Sequence, residues 1–90
     1  MVAKHIIVTG IVQGVFFRKY AQQKATALNL SGWVKNTDDD RVEIVAQGDE
    51  TNVRDFIEWC KKGPPKAEVE DVEINDEKMN DSLKRFSIVY

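Results

Sequence analysis

Two stretches of this sequence repeat apolar residues at the spacing of an α-helix, and each lies between runs rich in β-branched residues. In the second stretch the apolar residues fall at positions i, i+3, i+4 and i+7, which are Val53, Phe56, Ile57 and Cys60. This match predicts a helix with one buried face. Over residues 17–30 the apolar residues are spaced four, four and three positions apart, which predicts a first amphipathic helix. They are Phe17, Ala21, Ala25 and Leu28. The chain therefore needs a second layer on which both helices bury their apolar faces.

Five runs of β-branched or alternating residues supply that layer. The predicted strands are His5–Val12, Trp33–Thr37, Val42–Gln47, Ala67–Ile74 and Arg85–Tyr90. The order is βαββαβ plus a C-terminal strand, and 90 residues suffice for one modest core. The sequence therefore predicts a single domain over residues 1–90, of class α+β. Its expected architecture is a ferredoxin-like α/β sandwich, with two helices on one face of a four- to five-stranded, mostly antiparallel sheet.

Local signals mark where these elements begin and end. Ser31-Gly32 is expected to end the first helix, and Asp49 is expected to cap the second. Gly63-Pro64-Pro65 stops that helix. Asp38–Arg41 reads as a hairpin turn between the second and third strands. In the fourth strand the apolar residues change from odd to even positions near Asp71, since Val69 is followed by Val72 and Ile74, and this change predicts a bulge.

Composition excludes several classes of protein. The 42% hydrophobic and 31% charged residues fit a soluble globular chain, and no run approaches the ~20 apolar residues of a membrane span. The N-terminus lacks the apolar run of a signal peptide. One cysteine, Cys60, forms neither an internal disulfide nor a multi-cysteine metal cluster. We therefore expect a cytoplasmic protein without a membrane partner.

The net charge of -2 is the sum of two unlike parts. Residues 1–37 carry five Lys or Arg and no carboxylate side chain, whereas residues 38–90 carry eight Lys or Arg and fifteen acids. The charges are thus +5 and -7. Either this division is accidental, or the first part handles a small anion, which a nearby carboxylate would repel. No Lys/Arg run exceeds two residues, so charge does not indicate nucleic-acid binding.

Reactive side chains are few. His5, the single histidine, begins a strand and has no evident partner, which favours a structural role. Cys60 falls on the apolar stripe of a helix, where a buried thiol is usual. Asp38-Asp39-Asp40 reads as a solvated turn rather than a cation site. The sequence therefore predicts neither a bound metal nor a cofactor.

The junction between the first strand and the first helix carries the strongest signal. Gly10 and Gly14 allow sharp turns and a close backbone approach to a ligand. Successive N–H groups in such a loop, together with a helix N-terminus, form an anion site. Arg18 adds a planar guanidinium that matches two phosphate oxygens. The alternative is a simple turn with a solvated Arg18.

Asn36 is a second candidate. Alternation along its strand places it on the same face as Val34, away from Trp33 and Lys35. An amide on an apolar side of a sheet needs a partner. The alternative is that Asn36 initiates the turn and hydrogen-bonds within its own hairpin.

Taken together, these segments resemble the acylphosphatase family. The first motif is V-T-G-I-V-Q-G-V-F-F-R over residues 8–18, and the second is G-W-V-K-N-T over residues 32–37. The closing F-S-I-V-Y and the G-P-P run also follow the family layout, so the resemblance covers nearly the whole chain. It implies a hydrolase that cleaves the carboxyl-phosphate bond of acyl phosphates to a carboxylate and inorganic phosphate, without a metal or cofactor.

The resemblance also assigns roles. Arg18 is implied to bind the phosphoryl group with loop amides, and Asn36 to orient the attacking water. The implied substrate-binding residues are Gln13, Gly14, Val15, Phe16, Phe17 and Arg18. The implied partner is a small acyl phosphate, with the chain acting as a monomer.

Two departures and two rival functions stay open. The family usually has a glycine about where Asp40 stands, and Phe16 fills a variable position with a bulky ring that either lines the acyl side of the pocket or simply packs. A non-catalytic module that binds phosphate or carboxylate is the main rival. A single-stranded RNA binder of similar architecture is weaker, since the first strand lacks the paired aromatics of an RNP1 motif.

Overall fold

The computed structural model describes all 90 residues and contains five strands and two helices. In chain order the elements are β1 (Val2–Ile11), α1 (Phe17–Ala27), β2 (Ser31–Asn36), β3 (Val42–Gly48), α2 (Glu50–Lys62), β4 (Glu68–Asp76) and β5 (Phe86–Val89). The predicted order of elements and the α+β, ferredoxin-like class are confirmed.

The strands form one sheet in the order β4-β1-β3-β2-β5. Three of the four pairings are antiparallel, and β2 pairs with β5 in parallel. Strand β1 is an interior strand, between β4 and β3, which agrees with its apolar residues on both faces. The predicted bulge is present where β1 meets β4, because Thr9 pairs with Asp71 but Gly10 pairs with Val69. This bulge lies just before the loop that leads into α1.

Both helices pack on the same face of the sheet. The core is one cluster of 16 buried residues drawn from both helices, the strands and their adjoining loops. Phe17, at the first position of α1, is 2% exposed, and its ring centroid lies 5.3 Å from that of Trp59 on α2. Burying a phenylalanine contributes roughly 1.5–3 kcal/mol, so this contact fixes the N-terminus of α1 against α2.

Helix α1 is shorter than predicted, because it ends at Ala27 and not at Leu30. Asn29 has φ 58, in the left-handed region that often follows a helix C-terminus. Ser31-Gly32 was expected to end the helix, but it begins β2 instead. At Gly32 a Cβ atom would lie 1.9 Å from the Val45 carbonyl oxygen, so the glycine permits a close approach between two strands.

The other boundaries move by three residues or fewer. Strand β1 begins at Val2, β2 ends at Asn36, and β4 runs from Glu68 to Asp76. The capping of α2 is as predicted, since the Asp49 carboxylate accepts a hydrogen bond of 2.9 Å from the Thr51 N–H. These shifts leave the sheet register and the helix-covered face unchanged.

Residues 77–85 connect the two edge strands at one end of the sheet. The Gln47 side chain donates to the Asn80 carbonyl at 2.9 Å and accepts from the Asn80 N–H at 3.1 Å, which fixes this connection to β3. Gln47 lies near the end of β3 that is remote from Val42, the partner of Asn36 in the sheet. The opposite end of the sheet, where β1 and β2 finish and α1 begins, is therefore free of the connection.

Candidate active site

An open cavity of about 360 Å³ lies at that end of the sheet, where β1 leads into α1 beside the ends of β2 and β5. Its walls contain two basic side chains and no acidic one. The lining residues are Val12, Gly14, Phe16, Phe17, Arg18, Lys19, Asn36, Ile88 and Tyr90. The structure therefore brings Arg18 and Asn36 into one cavity, although 18 positions separate them in the sequence.

The loop between β1 and α1 presents unpaired backbone donors. Gly14 has φ 74 and Phe16 has φ 65, so the chain reverses its handedness twice before the helix. The N–H groups of residues 13–16 donate no hydrogen bond to a protein acceptor. Such alternation turns successive N–H groups towards one point, which is the geometry of an anion-binding loop.

The N-terminus of α1 reinforces this polarity. Phe16 is the N-cap residue, and its carbonyl accepts the first helical hydrogen bond, from the Tyr20 N–H at 3.1 Å. No side chain caps the helix, and its first turn contains no acidic residue. The positive end of the helix dipole is therefore available to an external anion.

Arg18 is half-buried and forms no ion pair in the structure. Its guanidinium carbon lies 4.9 Å from the centre of the Tyr90 ring, within the range of a cation–π interaction. The ring orients the guanidinium without neutralising it. The positive charge of Arg18 thus stays available to a ligand in the cavity.

Asn36 is the last residue of β2, and its side chain forms no hydrogen bond with the protein. The hairpin is instead closed by Thr37, whose N–H donates to the Arg41 carbonyl at 2.8 Å and whose Oγ1 accepts from the Arg41 N–H at 2.9 Å. The alternative in which Asn36 initiates the turn is therefore wrong. Its carboxamide lines the cavity with both donor and acceptor free.

Gln13 has a contact that its sequence position did not reveal. Its Nε2 donates to the Thr37 carbonyl at 2.9 Å and to the Arg41 carbonyl at 2.8 Å. These two bonds join the loop after β1 to the hairpin that follows Asn36. Gln13 does not line the cavity, and neither does Val15, which packs against the core. The only signal for the Gln13 contact was an amide next to a glycine turn.

The remaining reactive groups lie elsewhere. His5 lies on the face of the sheet away from the helices, where its Nε2 is 2.7 Å from Glu43 Oε2. This hydrogen bond lowers the pKa of Glu43, and the Lys35 ammonium, 3.6 Å from Glu43 Oε1, lowers it further. Burial raises the pKa of the Cys60 thiol, as expected for a core residue. These residues take the structural roles that the sequence favoured.

The acidic turn is held by its own neighbours. Asp39 accepts hydrogen bonds from the Arg41 guanidinium, at 2.9 Å from Nε, and from the Thr37 hydroxyl, and these lower its pKa to about 2. Asp40 has φ 67, the backbone conformation that a glycine adopts most easily. None of the three aspartates lines the cavity.

No three His, Cys, Asp or Glu side chains are grouped so that they could hold a metal ion. None of the helices has the length and apolar character needed to cross a membrane.

The sequence and the fold match those of known proteins. The Acylphosphatase family model matches residues 4–88. The acylphosphatase of Bacillus subtilis is 46% identical over 90 residues, which are 100% of this chain and 99% of the relative. The chain belongs to the acylphosphatase family and is a hydrolase of that family.

Solved structures agree with this assignment. A crystal structure of acylphosphatase from Bacillus subtilis superposes with a TM-score of 0.95 at 46% identity, covering 100% of both chains. A structure of an acylphosphatase from Coxiella burnetii gives a TM-score of 0.93 at 39% identity, covering 98% of this chain and 92% of the other. The whole chain thus has the architecture of a stand-alone acylphosphatase.

Proposed function

We propose that the enzyme hydrolyses the carboxyl-phosphate bond of small acyl phosphates, without a metal ion, at the cavity that contains Arg18 and Asn36. The observation that carries this proposal is the meeting, in one cavity, of an unpaired guanidinium, the unpaired N–H groups of the loop and a carboxamide with no protein partner. Each of these groups complements one part of the reaction.

The phosphoryl group binds to Arg18 and to the loop amides. The donors assigned to this role are the backbone N–H groups of residues 13–17, although the side chains of Gln13 and Val15 lie outside the cavity, and Arg18 supplies a two-pronged charged donor. Phosphoryl transfer passes through a loose transition state whose charge is spread over three oxygens, so fixed donors are the main catalytic requirement. One guanidinium and several amides provide that charge stabilisation without a metal.

Asn36 orients the attacking water. Its carbonyl oxygen accepts a hydrogen bond from the water, while its NH₂ group donates, and the amide does not act as a base near neutral pH. The water oxygen forms the new bond to phosphorus, and the bond from phosphorus to the acyl oxygen breaks. The electron pair of that bond stays on the departing carboxylate, and a phosphate oxygen accepts the water proton.

The weak basicity of the leaving group removes the need for a general acid in the cavity. A carboxylate departs without protonation, so the site needs no His, Glu or Cys. The basic lining also suits a dianionic substrate, because Arg18 and Lys19 attract it and no carboxylate side chain faces it. We further propose that the protein is cytoplasmic, which suits its free thiol. We also propose that it acts as a monomer, which gel filtration tests.

An isotope experiment tests the reaction. Acetyl phosphate is hydrolysed in ¹⁸O-water with EDTA present, and both products are analysed by mass spectrometry. Attack at phosphorus places the label in inorganic phosphate, as proposed. Label in acetate would show attack at the carbonyl carbon and contradict the roles of Arg18 and Asn36. Calorimetric binding of phosphate without any turnover would identify a non-catalytic anion-binding module instead.

A further inference from the structure

Phe16 has an unfavourable backbone conformation, and its apolar side chain is exposed to solvent. Its φ of 65 and ψ of 25 lie in the left-handed region, which bulky L-residues adopt rarely. The residue is 64% exposed, and it does not pack against the core cluster. Neither backbone preference nor folding therefore explains an aromatic residue at this position. Strained residues of this kind occur preferentially at functional sites.

The cavity gives the ring something to contact. Phe16 lines it together with Tyr90, which is 96% exposed, and with half-buried Ile88. In the proposed function Arg18 and the loop amides hold the phosphoryl group, and Asn36 holds the attacking water. The remaining walls of the same cavity are mainly apolar, and they are available to the rest of a ligand.

We propose that Phe16 determines specificity for the acyl group, and that the enzyme prefers acyl phosphates whose acyl group is flat and apolar. This inference rests on the proposed function, because it concerns the other half of the same substrate. An exposed ring that becomes covered by an apolar ligand loses water-accessible surface, which favours binding. Two aromatic rings in contact gain further energy from their offset or edge-to-face packing.

Lys19 supports a competing specificity. It lines the same cavity and is exposed. An acyl group that carries its own carboxylate would pair with this ammonium group. Exposed ion pairs contribute little in water, whereas covering an exposed ring contributes more. The apolar acyl group is therefore the specificity that the cavity favours.

The test compares kcat/KM for benzoyl phosphate and acetyl phosphate, which share the reacting bond and differ in the acyl group. Phe16→Ala removes the ring, and Phe16→Asn removes it while keeping a residue that tolerates positive φ. In both variants the benzoyl-to-acetyl ratio should fall about fivefold to tenfold, mainly through KM for benzoyl phosphate. Tyr20→Ala is the matched control, since Tyr20 is 42% exposed on the same helix and does not line the cavity. Its ratio should equal that of the wild type.

The outcomes separate the two proposals. If wild-type enzyme hydrolyses neither substrate, the proposed function fails. If it hydrolyses both but the Phe16 variants keep the wild-type ratio, the acyl-group proposal alone is overturned. Succinyl phosphate provides the third comparison. A higher kcat/KM for it than for benzoyl phosphate, lost in Lys19→Met, would assign the acyl side to a charged group and overturn the role of Phe16.

Discussion

Removing the Gln13 side chain should weaken both the fold and the reaction, because that side chain connects the two halves of the site. Its amide donates to the carbonyls of Thr37 and Arg41 at 2.9 and 2.8 Å, and so ties the anion-binding loop to the hairpin after Asn36. Each such bond contributes about 1 kcal/mol net, so Gln13→Ala should lose about 2 kcal/mol of unfolding free energy. For a domain of this size that corresponds to a fall in Tm of about 8–16 °C.

The effect on catalysis should exceed what the stability loss explains. Loss of this link lets the loop amides shift relative to Asn36, and misplacement of catalytic groups by about 1 Å costs up to about 100-fold in rate. We expect kcat/KM for acetyl phosphate to fall at least about tenfold, measured at a temperature where the variant is fully folded.

Gln22→Ala is the matched control for this experiment. Gln22 Nε2 also donates to a backbone carbonyl, that of Phe86 at 3.2 Å, but this bond involves neither the loop after β1 nor the hairpin after Asn36. Urea unfolding should show a loss of about 1 kcal/mol for this variant and kinetics should show an unchanged kcat/KM. If Gln13→Ala behaves like Gln22→Ala in both assays, the reasoning about the loop and the hairpin is refuted.

Three further variants test other parts of the structure. Asp40→Gly should raise the free energy of unfolding by about 0.5–1 kcal/mol in urea melts, since Asp40 has φ 67; a loss of stability would contradict this. The double variant Asp38→Asn, Asp40→Asn leaves the Asp39–Arg41 ion pair intact and removes two negative charges from the turn that follows Asn36. KM should fall at low salt because these charges repel the anionic substrate, and an unchanged KM would show that they are fully screened. Glu43→Gln removes a carboxylate whose pKa is lowered by its His5 contact, so the stability lost should be greatest above pH 4.5 and should shrink as the pH falls below it. Urea melts at pH 7 and pH 3 that give equal losses would contradict this.

The fold follows from the sequence because each element has a local cause. The i, i+3, i+4, i+7 pattern of α2 and the Asp49 cap act within a few residues, and both are present as predicted. The predicted end of α1 was wrong because Asn29 and Gly32 are both residues that can end a helix. Asn29 adopts positive φ at the helix terminus, while Gly32 serves the close approach of β2 to β3.

The site was predictable only in part. The sequence predicts Arg18 and Asn36 as site residues, and the fold brings them into one cavity. The contacts of Gln13 and the left-handed conformation of Phe16 were not predictable. The Gln13 contacts depend on where the loop after β1 lies relative to a hairpin 24 or more residues further along the chain, and no local sequence pattern encodes that placement.

The departure at Asp40 has a clear structural consequence. The residue takes the positive φ that a glycine would adopt without strain, so the hairpin keeps its shape at some cost in stability. Asp39 offsets part of this through its contacts with Arg41 and Thr37. The turn therefore supports Asn36 despite the substitution.

Acetyl phosphate hydrolysis with EDTA, by wild-type enzyme and by Arg18→Ala, tests the central claim most directly. The claim is that one guanidinium and the loop amides stabilise the phosphoryl charge without a metal ion. Removing one well-placed donor in such a site costs about 100- to 1,000-fold. Wild-type kcat/KM should be unchanged by the chelator, and Arg18→Ala should lose at least about 100-fold. Loss of wild-type activity with EDTA, or an Arg18→Ala variant as active as the wild type, would contradict the claim.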